Sequence, residues 1–185
     1  MVSTNSLKNG MTLKIDGDLY RVDYFQHVKP GKGGAFVRTT LKGVQNGKTI
    51  DRTFRAGEDL EQAILSKRSL QYLYREGESY VFMDTEHFEQ TYVPDAALRD
   101  TAKWLKEGDT IDLVFYGEEV VDVNIEASVV LAVTDTEPGL QGDRVSGATK
   151  PATLETGATV NVPLFINVGE KIKVDTRSGD YISRA

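Results

Sequence analysis

The chain has 185 residues, no cysteine and a net charge of −6. Without cysteine, disulfides, thiolate zinc sites and cysteine nucleophiles are excluded. No run of apolar residues is long enough for a membrane span, and the opening "MVSTNSLKNGM" lacks the apolar stretch of a secretory signal, so a cytoplasmic protein is expected.

From the N-terminus the pattern is mostly period two. "TLKID" and "DLYRVDYFQHV" flank Asp16-Gly17, and "AFVRTTLKG" and "KTIDRTF" flank Asn46-Gly47. Both dipeptides are hairpin signals, and the flanks are rich in residues that suit a pleated, half-buried surface. About five short strands in the first 60 residues predict a small barrel, which leaves few open sheet edges. Between the two hairpins lies "KPGKGG". Pro30 fixes its own φ and biases Lys29 toward extended geometry. Gly31, Gly33 and Gly34 give freedom for positive φ on both sides of Lys32. The expected result is a thin finger with one long cationic side chain at its end.

"GEDLEQAILSK" interrupts the alternation. Leu60, Ala63 and Ile64 suggest a short helical connector. Strands resume at "RSLQYLYREG", "SYVFMD" and "FEQTYVP". "PDAALRDTAKWLKEGD" then predicts a short helix that starts at Pro94-Asp95, carries Leu98, Ala102 and Leu105 on one face, and stops at Gly108. "TIDLVFYGEEVVDVNIE" predicts a hairpin turning near Gly117. A last group, "ASVVLAVTDTEPG" and "ATVNVPLFINVGEKIKVDTRSGDYISRA", turns near Gly169 and at Ser178-Gly179. Between its two parts, "LQGDRVSGATKPATLETG" shows no clear periodicity and reads as a long loop.

The chain is thus all-β, in three modules: 1–64, 65–127 and 128–185. Their charges differ. The first holds 10 Lys+Arg against 7 Asp+Glu, the second 6 against 14, the third 6 against 7. A basic first module on an acidic protein suggests local contact with a polyanion.

Catalytic constellations are sparse. His27 and His87 have no cysteine or second histidine nearby, so no metal site is expected. No G-x-S-x-G elbow occurs, and "GKGG" lacks the spacing of a phosphate loop. Asp84, Glu86 and Glu89 read as a solvated strand face in the acidic module, ahead of the alternative of a carboxylate pair. No cofactor is implied.

"FQHVKPGKGGAFVRTTLKG" (25–43) resembles the N-terminal loop of bacterial translation elongation factor P. "KPATLETGATVNVPLFINVG" (150–169) resembles the C-terminal signature of the same family. "RTFRAGEDLEQA", "LQYLYREGESYVFMD" and "IKVDTRSGDYISRA" resemble family segments in the same order, so the likeness covers essentially the whole chain. It implies an SH3-like (KOW-type) barrel followed by two OB-like barrels, in an L-shaped, tRNA-like arrangement. It implies a monomer that binds the 70S ribosome between the P and E sites beside the peptidyl-tRNA. Such a factor restarts synthesis at consecutive prolines and is no enzyme itself.

Lys32 matches the family's loop-tip residue at the CCA end of the P-site tRNA, which many members modify, so a Lys32-modifying enzyme is a further implied partner. Pro30, Gly31, Gly33 and Gly34 would be its scaffold, and Lys29 and Arg38 the acceptor-stem contacts. Gly142, Asp143 and Arg144 match a loop that approaches the E site on the small side of the ribosome. There the family commonly has Gly-Asp-Thr, so Arg144 is a departure. The alternative is a generic RNA- or ribosome-binding OB protein without a role at the peptidyl-transferase centre. A barrel enzyme with a lysine nucleophile is a third reading, which lacks a visible partner base.

Overall fold

The computed structural model describes residues 1–139 and 148–185. These residues are all-β, with three sheets, one single-turn α-helix and two 3-10 segments. Gly142, Asp143 and Arg144 lie outside the described residues. The chain forms two compact units, Met1–Arg68 with Val114–Asp122, and Ser69–Leu113 with Val123–Ala185.

The first unit holds a six-stranded sheet. Its strands are β1 (Val2–Ser3), β2 (Thr12–Ile15), β3 (Asp18–Val28), β4 (Phe36–Gly43), β5 (Thr49–Arg55) and β6 (Asp59–Ala63), in the order β1-β6-β2-β3-β4-β5. The β2–β3 turn is the expected two-residue one. Asp16 and Gly17 take φ of 53° and 86°, the left-handed pair that follows the strand twist. Alternation on β4 sends Val37, Thr39 and Leu41 inward and Arg38 and Lys42 outward. Leu13, Val22, Val37 and Leu41 are fully buried and close a core with Leu7, Ile15, Phe54 and Leu60.

The connector expected at Leu60, Ala63 and Ile64 is a strand, not a helix. β6 pairs with both β1 (Val2↔Leu60) and β2 (Leu13↔Gln62). Two open strand edges offer its backbone groups partners along the whole segment. Ile64, just past the strand, is 73% exposed.

The second sheet has strands β7 (Ser66–Glu76), β8 (Ser79–Asp84), β9 (Gln90–Pro94), β10 (Thr110–Tyr116) and β11 (Glu119–Asn124), in the order β11-β10-β7-β8-β9. The helix expected from Pro94 to Gly108 is broken. α1 (Asp95–Leu98) is one turn, Arg99 sits at φ 53°, and Arg99–Trp104 is 3-10. Leu98 and Trp104 are both buried, whereas Ala102 is half-buried. Six residues at about 100° each would put Leu98 and Trp104 roughly 120° apart around a continuous helix, at the two margins of one apolar face. With the break at Arg99 both are buried.

The third sheet lies in the second unit. It comprises β12 (Ser128–Thr136), β13 (Thr149–Leu154), β14 (Thr159–Pro163), β15 (Lys171–Asp175) and β16 (Tyr181–Arg184), in the order β14-β13-β12-β15-β16. β13 falls inside the stretch read as a loop. It pairs with β12 and β14, and Lys150, Ala152 and Leu154 all point inward. The lysine hides the alternation in the sequence. Its ammonium is buried and donates to the Glu137 carbonyl at 2.5 Å. Trp104 joins Leu131, Leu154, Val162, Ile166, Ile172 and Val174 in the core of this sheet.

Candidate functional site

The site grows out of the two longest strands of the first sheet. β3 has eleven residues and β4 eight, and their last pair is Val28↔Phe36. Residues 29–35 therefore form the tip alone. Every residue from Lys29 to Gly34 is exposed. Pro30 has no N–H to leave unsatisfied there. Of the three glycines expected to use positive φ, only Gly33 does, at 99°; Gly31 and Gly34 stay in ordinary regions. A Cβ added at any of the three would meet nothing within 4 Å. The chain's own packing thus does not require glycine at 31 or 34. What glycine removes there is outward bulk.

Lys32 forms no hydrogen bond or ion pair with any described residue, and Lys29 is equally free. Arg38 sits opposite Gln26 on β3 and Thr53 on β5. Its guanidinium lies over the Phe36 ring at 5.5 Å, so its direction is held without neutralising its charge. Arg55, directly across from Phe36, shares that outward side and is exposed. Sequence reasoning missed it, because the register that brings Arg55 beside Phe36 is not written in either strand alone. By contrast, Arg21 and Arg52 are engaged by Asp23 and Asp16, each at 3.0 Å. Lys29 and Lys32 have no such partner among the described residues.

The remaining candidates do not assemble into chemistry. His27 is exposed and meets Phe25 edge-on at 5.7 Å. Asp84, Glu86 and Glu89 lie in and beside the β8–β9 turn, not on a strand face as expected. Asp84 Oδ1 accepts the backbone N–H groups of Glu86 and His87 there, at 2.8 and 3.1 Å. Among the described residues no group of His, Asp or Glu could hold a metal ion, and no helix is long and apolar enough to cross a membrane. Among the described residues no base is hydrogen-bonded or ion-paired to Lys32. The arrangement can present an ammonium group, backed by further cations, to a polyanion.

Comparison with known proteins agrees along the whole length. Three family models match, described as elongation factor P KOW-like domain (residues 3–60), elongation factor P OB domain (65–123) and elongation factor P, C-terminal (129–184). The elongation factor P of Microcystis aeruginosa is 52% identical over 184 residues, covering 100% of both chains. That of Acidothermus cellulolyticus is 55% identical over 185 residues, covering 100% of this chain and 99% of its own. Among solved structures, the translation initiation factor 5A of Methanococcus jannaschii superposes with a TM-score of 0.53 at 24% identity, over 66% of this chain and 92% of that one. This last likeness concerns the fold.

Proposed function

The chain belongs to the elongation factor P family of translation factors, and on that premise we propose that it binds the 70S ribosome between the P and E sites and relieves stalling at consecutive prolines. The observation that carries this reading is Lys32, exposed and unpartnered at the end of a glycine-framed tip. A slim tip can enter a narrow channel, and a free ammonium can lie along the CCA end of the P-site tRNA. Phosphate contact of this kind fixes position without reading sequence. Lys29 and Arg38 continue the contact along the acceptor stem.

The chemistry stays with the ribosome. Proline is a poor nucleophile because its ring restricts the approach to the peptidyl ester. Holding the P-site tRNA in a reactive pose lowers the barrier with no covalent step by the factor, and good positioning is worth up to about 7–11 kcal/mol in favourable cases. The chain therefore acts as a non-enzymatic, cytoplasmic accessory. The open space around the tip also gives a modifying enzyme access to Lys32, and modification would add reach and hydrogen-bond donors. The domains run 1–64, 65–127 and 128–185. In the third, Gly142, Asp143 and Arg144 approach the E site on the small side of the ribosome, with Arg144 gripping a phosphate or stacking on a base.

Reconstituted translation of a message with three consecutive prolines tests this. The chain should speed synthesis through the proline run, and Lys32→Ala should abolish that gain while retaining ribosome binding. Full stimulation by Lys32→Ala would refute it and leave the generic RNA-binding alternative.

A further inference from the structure

The tip that carries Lys32 is anchored from the N-terminus of the chain. β1 ends at Ser3 and the 3-10 turn Thr4–Ser6 follows, with Ser3 Oγ accepting the Asn5 N–H at 3.3 Å. β1 pairs with β6 through Val2↔Leu60 and Ser3↔Asp59, so Thr4 meets the residues that join β5 to β6. Thr4 is 0% exposed, the most deeply buried polar residue among those described. Its backbone N–H donates to the Glu58 carbonyl at 2.9 Å. Its hydroxyl donates to the Arg55 carbonyl at 3.0 Å and accepts the Gly57 N–H at 2.9 Å. One hydroxyl thus uses both its donor and an acceptor position on a single turn.

That turn also closes on itself. The Glu58 N–H donates to the Arg55 carbonyl at 3.1 Å, and the Arg55 N–H donates to Glu58 Oε2 at 3.1 Å. The Ala56 N–H instead leaves the turn and donates to the Ala35 carbonyl at 3.1 Å. Ala35 follows Gly34 directly and lies just beyond the last ladder pair, Val28↔Phe36. A hydrogen-bonded path therefore runs from the buried Thr4 hydroxyl through residues 55–58 to the root of the tip. The same path fixes Arg55, the exposed cation across from Phe36. From Ala35 to Lys32 the chain can span roughly 10 Å, and a tilt of about 10° at the root moves a group at that distance by about 2 Å. In a reaction that depends on positioning, a misplacement of about 1 Å can cost about a hundredfold.

We propose that Thr4 is a positioning residue for Lys32: its buried hydroxyl fixes the turn 55–58, and that turn fixes the direction in which the tip leaves its sheet. This inference rests on the translation reading above. Being fully buried, Thr4 meets no partner of the chain and acts only through Arg55, Ala56 and Gly57.

The test compares Thr4→Val with Thr4→Ser in the full chain. Valine keeps the shape and removes the hydroxyl, so the Gly57 N–H loses its acceptor, whereas serine keeps the hydroxyl. In reconstituted translation through three consecutive prolines, Thr4→Val should lower stimulation at saturating factor about tenfold and change the half-saturating concentration less than about twofold. Thr4→Ser should keep most of the stimulation. A hydroxyl that only stabilised the fold would lower the thermal midpoint and leave saturating stimulation intact well below that temperature. A second variant keeps the test open if Thr4→Val fails to fold. Lactic acid in place of Ala56 turns the amide into an ester, removes only the N–H bonded to Ala35, and should reproduce the loss. Full saturating stimulation by a folded Thr4→Val or by the ester variant, or a Thr4→Ser as weak as Thr4→Val, overturns the inference. If stimulation is still lost in Lys32→Ala, the translation reading then stands. No stimulation by the unaltered chain overturns both.

Discussion

Two hairpin tips put opposite chemistry on one device. At the β3–β4 tip the left-handed residue is Gly33, at φ 99°, and the exposed group beside it is a cation. At the β8–β9 tip the left-handed residue is Phe88 itself, at φ 58°, and the exposed group is an apolar ring among carboxylates. Glycine takes such a φ almost freely, whereas a side chain there costs about 1–2 kcal/mol. The first tip thus spends backbone freedom on thinness. The second accepts strain to hold a ring in place, and Asp84 locks the turn that does so. A positive φ tells more about function when the residue holding it is not glycine.

Variants can break or sharpen this contrast. The largest effect is expected from Lys32→Ala, with a tenfold or greater loss of stimulation on a polyproline message in reconstituted translation and an unchanged thermal midpoint. Gly33→Val puts a branched side chain at φ 99°, so it should destabilise the chain by about 1–2 kcal/mol in urea titration and also weaken stimulation. Phe88→Gly should do the reverse to stability, adding about 1 kcal/mol by the same measurement. If both substitutions shift stability in the same direction, the contrast between the tips is wrong.

The smallest effects concern pH. The folded-state pKa of Tyr92 is raised from 10.0 by Glu76 and Tyr74, so its contribution to stability is complete below about pH 10 and fades as the phenol ionises above that. Tyr92→Phe should flatten the alkaline limb of a stability–pH curve slightly, since the group is exposed and screened. Asp175 behaves oppositely. The amides of Ser178 and Arg177 lower its carboxyl below 3.8, so its contribution is present above that pH and is lost as pH falls further. Asp175→Asn should flatten the acid limb.

Much of this was legible in the sequence, and the exceptions are physical. Asp16-Gly17 announced its turn because that backbone demands such residues. The all-β class followed from alternation, and the resemblance carried the family. β6 was misread because the open edges it fills belong to strands distant in sequence. β13 was missed because a buried lysine occupies an inward position, which no polarity pattern anticipates. The break at Arg99 answers to burial of Trp104 in the third sheet's core. Lys32 stood out through its glycines and proline, though only one of the three glycines uses the freedom expected of it. Phe88 gave no signal, since an exposed phenylalanine ahead of a strand looks like that strand's first residue.

The account depends most on where the first tip delivers its amine. The chain has no cysteine, so Lys32→Cys creates a unique attachment point for an iron chelate that generates hydroxyl radicals. On ribosomes stalled at consecutive prolines, the account predicts strand cleavage at the CCA end of the P-site tRNA. Cleavage elsewhere, with the CCA end intact while the tethered protein remains bound, would contradict it.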